Sequence, residues 1–316
     1  MEALSMKLIT QNYLKISLIL AAVAALSIYP IYQSFKHKKP CVTVFNTPTQ
    51  KQVEDTLKEI TDYQSTLEAT LKEQLADQNS QLVARIPVAF PQIHPIQWEN
   101  AMKAVQKIKA NDDLLCENPV IPAAADYEFV NVIYTTLAEY GINPARVEIE
   151  FVTTPGSFLS ACQGLEKNKV RHIIRVNKSE VNKKSAEIAL AYLRHEIQHL
   201  LTYDAIELMI VKDIFEKNEI SEQEYYTNPD FIELKKFKEY RADLLAATKD
   251  MSTAQAFMQD MEERIKLYPH EQENPSHATH PTEAQRKQAI ANLTQYMQIE
   301  KQHMFQPTLE LRRTSA

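Results

Sequence analysis

Glycine is almost missing from this chain: only Gly141, Gly156 and Gly164 occur among its 316 residues. The glycine-rich loops that hold the phosphates of nucleotides need two or more glycines within a few residues. Nucleotide-binding and kinase-like functions are therefore excluded. The scarcity of this helix-breaking residue also predicts a mostly helical chain.

Cysteine and surplus basic charge are lacking as well. Cys41, Cys116 and Cys162 are odd in number, far apart and without a C-x-x-C pair, so neither a disulfide framework nor a thiolate zinc site is indicated. Lysine and arginine total 35 against 41 acidic residues, a formal net charge of -6. We therefore expect no nucleic-acid partner, since phosphate backbones attract basic surfaces.

The composition is that of a folded protein. Hydrophobic residues make up 44% and aromatic residues 8% of the chain, which is enough to bury a core and excludes wholesale disorder. Its length predicts one or two domains.

The N-terminal region contains the longest apolar stretch. Residues 16–32 form a run of 17 without a charge, which meets the lower limit for crossing a bilayer. Lys15 before this run and the lysine-rich residues 35–39 after it are typical of interfacial anchors. We predict a single-pass N-terminal anchor that enters the lipid bilayer through residues 16–34.

A cleaved signal peptide is the alternative for this region, with Ala22-Val23-Ala24 as a cleavage site. Because lysines lie on both sides of the run, orientation is poorly constrained; we expect the C-terminal side to be cytoplasmic. Cleavage of a signal would instead make the protein periplasmic or secreted.

Hydrophobic periodicity predicts a mainly α-helical fold with a small β-sheet, in the α+β class. Residues 86–95 contain three prolines and predict a linker. The predicted helices cover residues 49–85, 96–115, 127–140, 184–215, 230–249, 253–268 and 282–303, and the predicted strands cover residues 146–153 and 172–177.

One predicted helix carries the sequence His195-Glu196-Ile-Gln-His199, the H-E-x-x-H signature of zinc-dependent proteases. Residues four apart lie on one face of a helix, with Cβ atoms about 5–6 Å apart, so both imidazoles are able to bind one ion. Glu196 is rotated away from that ion and borders the place where a water molecule would bind. Apolar neighbours such as Leu193 and Leu200 predict that the histidines are at least partly buried, where a polar ring needs a ligand or a hydrogen-bond partner.

A catalytic zinc needs a third protein ligand. A histidine six residues after His199 is one solution, but Ala205 occupies that position. The candidates for this ligand downstream are Glu207, Glu216, Glu219, Glu222, Glu224, Glu233 and Glu239. Only Glu239 is followed by an aspartate four residues later, and this Asp243 would hold a histidine ring from behind. We predict one Zn²⁺ per chain, bound by His195, His199 and Glu239.

The order of these motifs resembles one protein family. H-E-x-x-H, then E-x-x-A-D some forty residues later, then Thr279-His280-Pro281-Thr282 with Arg286, is similar to the HtpX-like and CAAX-prenyl-processing zinc metalloendopeptidases, which are membrane-associated gluzincins. The resemblance covers roughly residues 129–291. It implies Glu196 as the general base, His280 beside the site as a stabiliser of the oxyanion, and Arg286 in the wall of the site.

The chain also departs from this family, because members that process prenylated substrates carry several membrane-spanning helices and this chain has one at most. That difference favours a quality-control or regulatory endopeptidase acting on protein or peptide substrates. The resemblance further implies that residues 173–177 form the edge strand that pairs with an extended substrate.

Together these predictions divide the chain into four segments. A membrane anchor or signal is expected at residues 1–40, a helical stalk or adaptor at 41–120, a zincin-like metallopeptidase domain at 121–305, and a C-terminal tail at 306–316. The predicted activity is hydrolysis of peptide bonds by a zinc-activated water, with Glu196 as general base.

Two other interpretations stay open. The chain could be a metal-containing but non-proteolytic membrane chaperone or assembly adaptor that acts through its 49–85 helix. It could also be a helical interaction protein in which the motif arose by chance.

Overall fold

The computed structural model describes residues 50–153, 158–166, 169–249, 251–269 and 280–295. Two compact units divide the chain, Met1–Glu59 and Ile60–Ala316, and only the first turns of one helix are described in the first unit. The predicted anchor at residues 16–34 and the tail at 306–316 lie outside the described residues. Within the described residues, no helix is both long and apolar enough to cross a membrane.

The described chain is mainly helical with one small sheet, so the predicted α+β class is confirmed. The strands are β1 (Val147–Phe151), β2 (Leu159–Glu166) and β3 (Lys169–Val176). The helices are α1 (Gln50–Ala89), α2 (Pro95–Asn111), α3 (Glu128–Glu139), α4 (Lys178–Val181), α5 (Ala186–Thr202), α6 (Asp204–Lys217), α7 (Glu222–Thr227), α8 (Pro229–Ala247), α9 (Met251–Leu267) and α10 (residues 283–295).

The sheet has the order β1-β3-β2, with β1 parallel and β2 antiparallel to β3. Residues 173–176 therefore lie in the central strand, and the expectation that 173–177 form the edge strand is wrong. Strand β3 has buried apolar side chains on both faces of the sheet, among them Ile173, Ile174 and Val176, as is typical of a central strand.

Strand β2 was not predicted from the sequence. Its residues, LSACQGLE, include serine, alanine and glycine, which have little β-propensity. Only Leu159 is buried in this strand, so its alternation of apolar and polar residues is weak. The pairing with β3 along all eight residues supplies what local propensity lacks.

Helix α1 continues through Pro87 to Ala89, so the predicted linker at 86–95 is wrong over its first part. A proline inside a helix costs about 3 kcal/mol because it lacks an N–H group and crowds the preceding turn. Ile86 and Phe90 flank it with exposures of 0% and 2%. Burial of each such side chain contributes about 1.5–3 kcal/mol, which offsets the cost.

The helix predicted at 184–215 is two helices. Tyr203 has a left-handed backbone with φ of 58° and separates α5 from α6. Its hydroxyl donates a hydrogen bond of 2.8 Å to Oδ2 of Asp112, and its ring meets His172 edge-on at 5.8 Å. These tertiary contacts compensate for a conformation that is unfavourable for a residue with a side chain.

Two clusters of buried apolar side chains hold the described helices together. The first packs β3 and α5 against α3 and α9, with Ile174, Leu193 and Phe257 fully buried. The second joins α1 and α2 to α6, α7 and α8 through Phe90, Phe215 and other residues. The described helices of the predicted 41–120 segment thus share a core with later helices, while the four-segment division stays a prediction.

Phe215 lies at the centre of the second cluster, where its ring contacts those of Phe90, Tyr225 and Phe231 at 4.7–5.4 Å. We expect Phe215→Ala to lower the free energy of unfolding by about 3–5 kcal/mol, since it leaves a cavity in a close-packed core. Urea denaturation followed by circular dichroism measures the loss. Leu267→Ala, at a site with 68% exposure, is the control and should change stability by less than about 0.5 kcal/mol; equal effects of the two substitutions would contradict this packing.

Candidate metal centre

Helix α5 presents the two histidines of the H-E-x-x-H sequence on one face. The helix begins after Ser185, whose hydroxyl accepts a hydrogen bond of 3.3 Å from the backbone N–H of Ile188. It packs against β2, α8 and α9, so the rings point into the protein. The side chain of His195 is 5% exposed and that of His199 is 16% exposed.

Glu239 of α8 meets this pair. The Nε2 atoms of His195 and His199 lie 3.0 Å apart, and they lie 3.5 Å and 3.8 Å from the two carboxylate oxygens of Glu239. Among the described residues, these three form a group whose donor atoms all lie within 4.8 Å of one another. The structure thus brings together the three predicted metal ligands.

Asp243 and Arg286 lie directly behind His195. Nδ1 of His195 is 2.8 Å from Oδ1 of Asp243, a carboxylate with no exposed surface. Arg286 of α10 donates two hydrogen bonds of 2.7 Å to the same carboxylate. Burial raises the pKa of Asp243, but the charge of Arg286 outweighs it and lowers the pKa. Asp243 is therefore ionised and accepts the Nδ1 proton, which leaves Nε2 facing Glu239.

A second buried carboxylate, Asp204, holds His199 in the same way. Its Oδ2 lies 2.9 Å from Nδ1 of His199, and its Oδ1 accepts a hydrogen bond of 3.1 Å from Nζ of Lys238 and another from Arg241. Lys238 also pairs with the buried Glu207. Burial raises the pKa of Asp204, but the charges of Lys238 and Arg241 reverse that effect and hold it well below its usual value.

Sequence reasoning missed Asp204. In an uninterrupted helix, a residue five positions after His199 is rotated by about 140° from it and faces elsewhere. The left-handed backbone of Tyr203 turns the chain so that Asp204 points back to the ring. Because that turn was not predicted, the sequence contained no signal for this contact.

The chemistry of these donors fits a metal cation. With both Nδ1 protons directed to carboxylates, the two Nε2 atoms and the Glu239 carboxylate face each other in a partly buried place, where unsatisfied acceptors carry a cost. Imidazole nitrogen and carboxylate oxygen are the ligands of His₂Glu zinc sites. The same set also suits other divalent transition metals, so the geometry is not specific for zinc.

Charge effects at the centre favour proton or metal uptake. Burial lowers the pKa of His195, but the charge and hydrogen bond of Asp243 outweigh it and raise the pKa. Burial lowers the pKa of His199 as well, but the hydrogen bond to Asp204 and the charge of Glu239 outweigh it, so the pKa is raised. Burial raises the pKa of Glu239, but the hydrogen bond with His195 and the charge of His199 outweigh it, so the pKa is lowered.

Glu196, one position after the first histidine, lies at a cavity of about 310 Å³ beside the three donors. Its Oε2 accepts a hydrogen bond of 2.6 Å from the backbone N–H of Ala161 in β2. Since that N–H points away from β3, the odd-numbered residues of β2 direct their backbone groups toward the outer edge of the sheet. The edge strand next to the site is β2.

His280 lines the same cavity. Its Nε2 lies 3.7 Å from Oε1 of Glu239, and its side chain is 55% exposed. The structure therefore places every predicted site residue around one centre, while the roles of these residues stay predictions.

Removal of the Asp204 charge should weaken metal binding. We expect Asp204→Asn to raise the zinc dissociation constant about 10- to 100-fold, the usual effect of losing a carboxylate behind a ligating histidine. Competition with a chromophoric chelator measures the change. Asp213→Asn, an exposed position on the same helix that pairs with Lys217, should leave the affinity unaltered. Equal affinities of the Asp204 variant and the wild type would contradict this role.

Metal affinity should fall as the pH falls. The raised pKa values of His195 and His199 in the metal-free protein mean that bound protons must leave when a metal enters. Below those pKa values, each displaced proton weakens the apparent affinity about tenfold per pH unit. Zinc titrations between about pH 6 and pH 8 in buffers of different ionisation enthalpy count the released protons. Constant affinity with no proton release is the contrary result.

Comparison with known proteins identifies no relative. No family model, no curated protein and no solved structure matches this chain. The interpretation of the centre therefore depends on its residues and their geometry.

Proposed function

We propose that this protein is a zinc-dependent metalloendopeptidase that hydrolyses peptide bonds of protein or peptide substrates. The observation that carries the proposal is the convergence of His195, His199 and Glu239, with Glu196 on the same helix at the adjoining cavity. The order of the three motifs supports a zincin-like domain similar to the HtpX-like and CAAX-prenyl-processing peptidases. One Zn²⁺ per chain is the proposed cofactor.

When bound, zinc supplies a Lewis acid that lowers the pKa of its water toward about 7 and polarises the scissile carbonyl. Glu196 then takes a proton from the attacking water on its carboxylate and delivers it to the leaving amine. The N–H of Ala161 is hydrogen-bonded to this carboxylate and supports its orientation. Asp243 and Asp204 keep the two imidazoles in the tautomer that directs Nε2 inward.

The substrate is proposed to lie extended along β2. An edge strand offers backbone hydrogen bonds that align a peptide without selecting its sequence, and Ser160 and Ala161 of this strand line the cavity. His280, on the same cavity and half-exposed, is proposed to stabilise the oxyanion. Arg286 acts through Asp243, to which it donates two hydrogen bonds.

The proposal extends to the part of the chain outside the described residues. The uncharged run of residues 16–32 supports a single-pass anchor in the lipid bilayer. In that arrangement the catalytic domain is cytoplasmic, whereas a cleaved signal would place it in the periplasm or outside the cell. One span at most favours quality-control or regulatory cleavage over the processing of prenylated proteins.

The direct test substitutes the proposed general base. We expect Glu196→Gln to lower peptide hydrolysis by about 10²–10⁴-fold, the range for loss of general acid–base catalysis, with zinc content still near one per chain. His195→Ala should lose both zinc and activity. Digestion of casein with a chelator control, together with elemental analysis, measures the two properties.

Glu187→Gln is the matched control, because Glu187 is an exposed residue in the first turn of the same helix. It should keep both zinc and activity. A wild-type protein without bound zinc, or a Glu196→Gln variant that still cleaves peptides, would falsify the proposed mechanism. Zinc bound without any hydrolysis by the wild type would favour the non-proteolytic adaptor.

A further inference from the structure

The cavity beside the candidate metal centre is lined by one lysine that forms no ion pair with a carboxylate of the described residues. Two lysines line it, Lys235 and Lys238 of α8. Lys238 is buried and forms ion pairs with Asp204 and Glu207. Among the described residues, no carboxylate lies within ion-pair distance of Lys235, whose contact is with an aromatic ring.

Lys235 is close to the place where a bond would be cleaved. It precedes Glu239 by four residues on α8, so the two side chains lie on one face of the helix, about 6 Å apart along its axis. An extended peptide advances about 3.3 Å per residue. The ammonium is therefore within reach of a side chain belonging to the substrate residue beside the cleaved bond.

Tyr226 holds this ammonium in position. Nζ of Lys235 lies 5.2 Å from the centre of the Tyr226 ring, and Nζ of Lys212 lies at the same 5.2 Å from it. Lys212 also donates a hydrogen bond of 2.8 Å to the Tyr226 hydroxyl. Two cations therefore share one ring beside Lys235, while Leu208 of α6 adds an apolar wall to the cavity.

The environment of Lys235 favours an anionic partner. The side chain is half-buried, and burial lowers its pKa, against the opposing effects of Tyr226 and Glu239. A partly desolvated ammonium without a carboxylate gains more from a bound anion than an exposed one does. In a peptide substrate, the available anion is a carboxylate.

We propose that Lys235 is a specificity-determining residue that binds a carboxylate on the substrate residue next to the cleaved bond. The inference rests on the proposed peptidase function and names the class of substrate. Leu208 contacts the methylene groups of that residue, and the carboxylate reaches the ammonium beyond them. The carboxylate belongs either to a glutamate or aspartate side chain, as in an endopeptidase substrate, or to the substrate's C-terminus, in which case the peptidase removes the C-terminal residue.

The experiment uses the full-length, zinc-loaded protein and matched peptides that differ beside the cleaved bond. In the first pair, the residue beside the cleaved bond is either glutamate or glutamine, and the peptide ends further on in an amide. In the second pair, that residue is a glutamine at the end of the peptide, and its terminal group is either a free carboxylate or an amide. We expect kcat/KM to be about tenfold higher for the carboxylate member of one pair, the usual value of a charge-assisted hydrogen bond. The pair that shows the preference identifies the source of the carboxylate.

Three variants assign that preference to Lys235. Lys235→Met should bring the two rates of the responding pair within about twofold of each other, and Lys235→Glu should instead favour a peptide with lysine at that position. Lys236→Met is the matched control: Lys236 is the next residue of α8 but does not line the cavity, so this variant should keep the preference.

A binding measurement separates this inference from the proposed function. The Glu196→Gln protein should bind the carboxylate peptide about tenfold more tightly than its neutral partner by fluorescence anisotropy, and Lys235→Met in that background should abolish the difference. If the wild type cleaves both members of each pair equally, or if Lys235→Met keeps the preference, the inference is overturned although the peptidase stands. If zinc-loaded wild type cleaves none of the peptides or casein, the peptidase proposal itself fails.

Discussion

Three side chains with metal-ligating atoms, His195, His199 and Glu239, face one another at a partly buried site of this protein. The Nε2 atoms of His195 and His199 are 3.0 Å apart and both approach the carboxylate of Glu239. Because each Nδ1 is bonded to a buried aspartate, only the Nε2 atoms are left to face the Glu239 carboxylate. Either a proton or a metal ion must satisfy the acceptors, and the donor types are those that bind divalent transition metals.

The buried ion pairs behind the rings make the candidate metal site part of the fold. Asp243 joins His195 to Arg286 on α10, and Asp204 joins His199 to Lys238 on α8. Each carboxylate would be very costly in the interior without its cation. Helices that are distant in sequence are therefore held in one arrangement by the same contacts that orient the imidazoles.

Local patterns predicted much of this structure because they depend on neighbouring residues. Amphipathic periodicity identified most helices to within a few residues, and the spacing of Glu239 and Asp243 placed both on one helical face. The errors have tertiary causes. Pro87 stays in a helix because the apolar side chains around it are buried, and β2 exists because β3 pairs with it despite weak propensity.

The sequence alone determined the chemical types of the donors and the helical faces that carry them, since an α-helix repeats every 3.6 residues whatever surrounds it. Tertiary structure decided which strand lies at the edge, that Asp204 supports His199, and that Lys235 faces the cavity. The first depends on strand pairing, and the second on a left-handed turn at Tyr203, whose hydroxyl bonds to Asp112, 91 residues earlier in the chain. Contacts of that range leave no periodic trace in the sequence, because they are specified only when the separate helices and strands pack together.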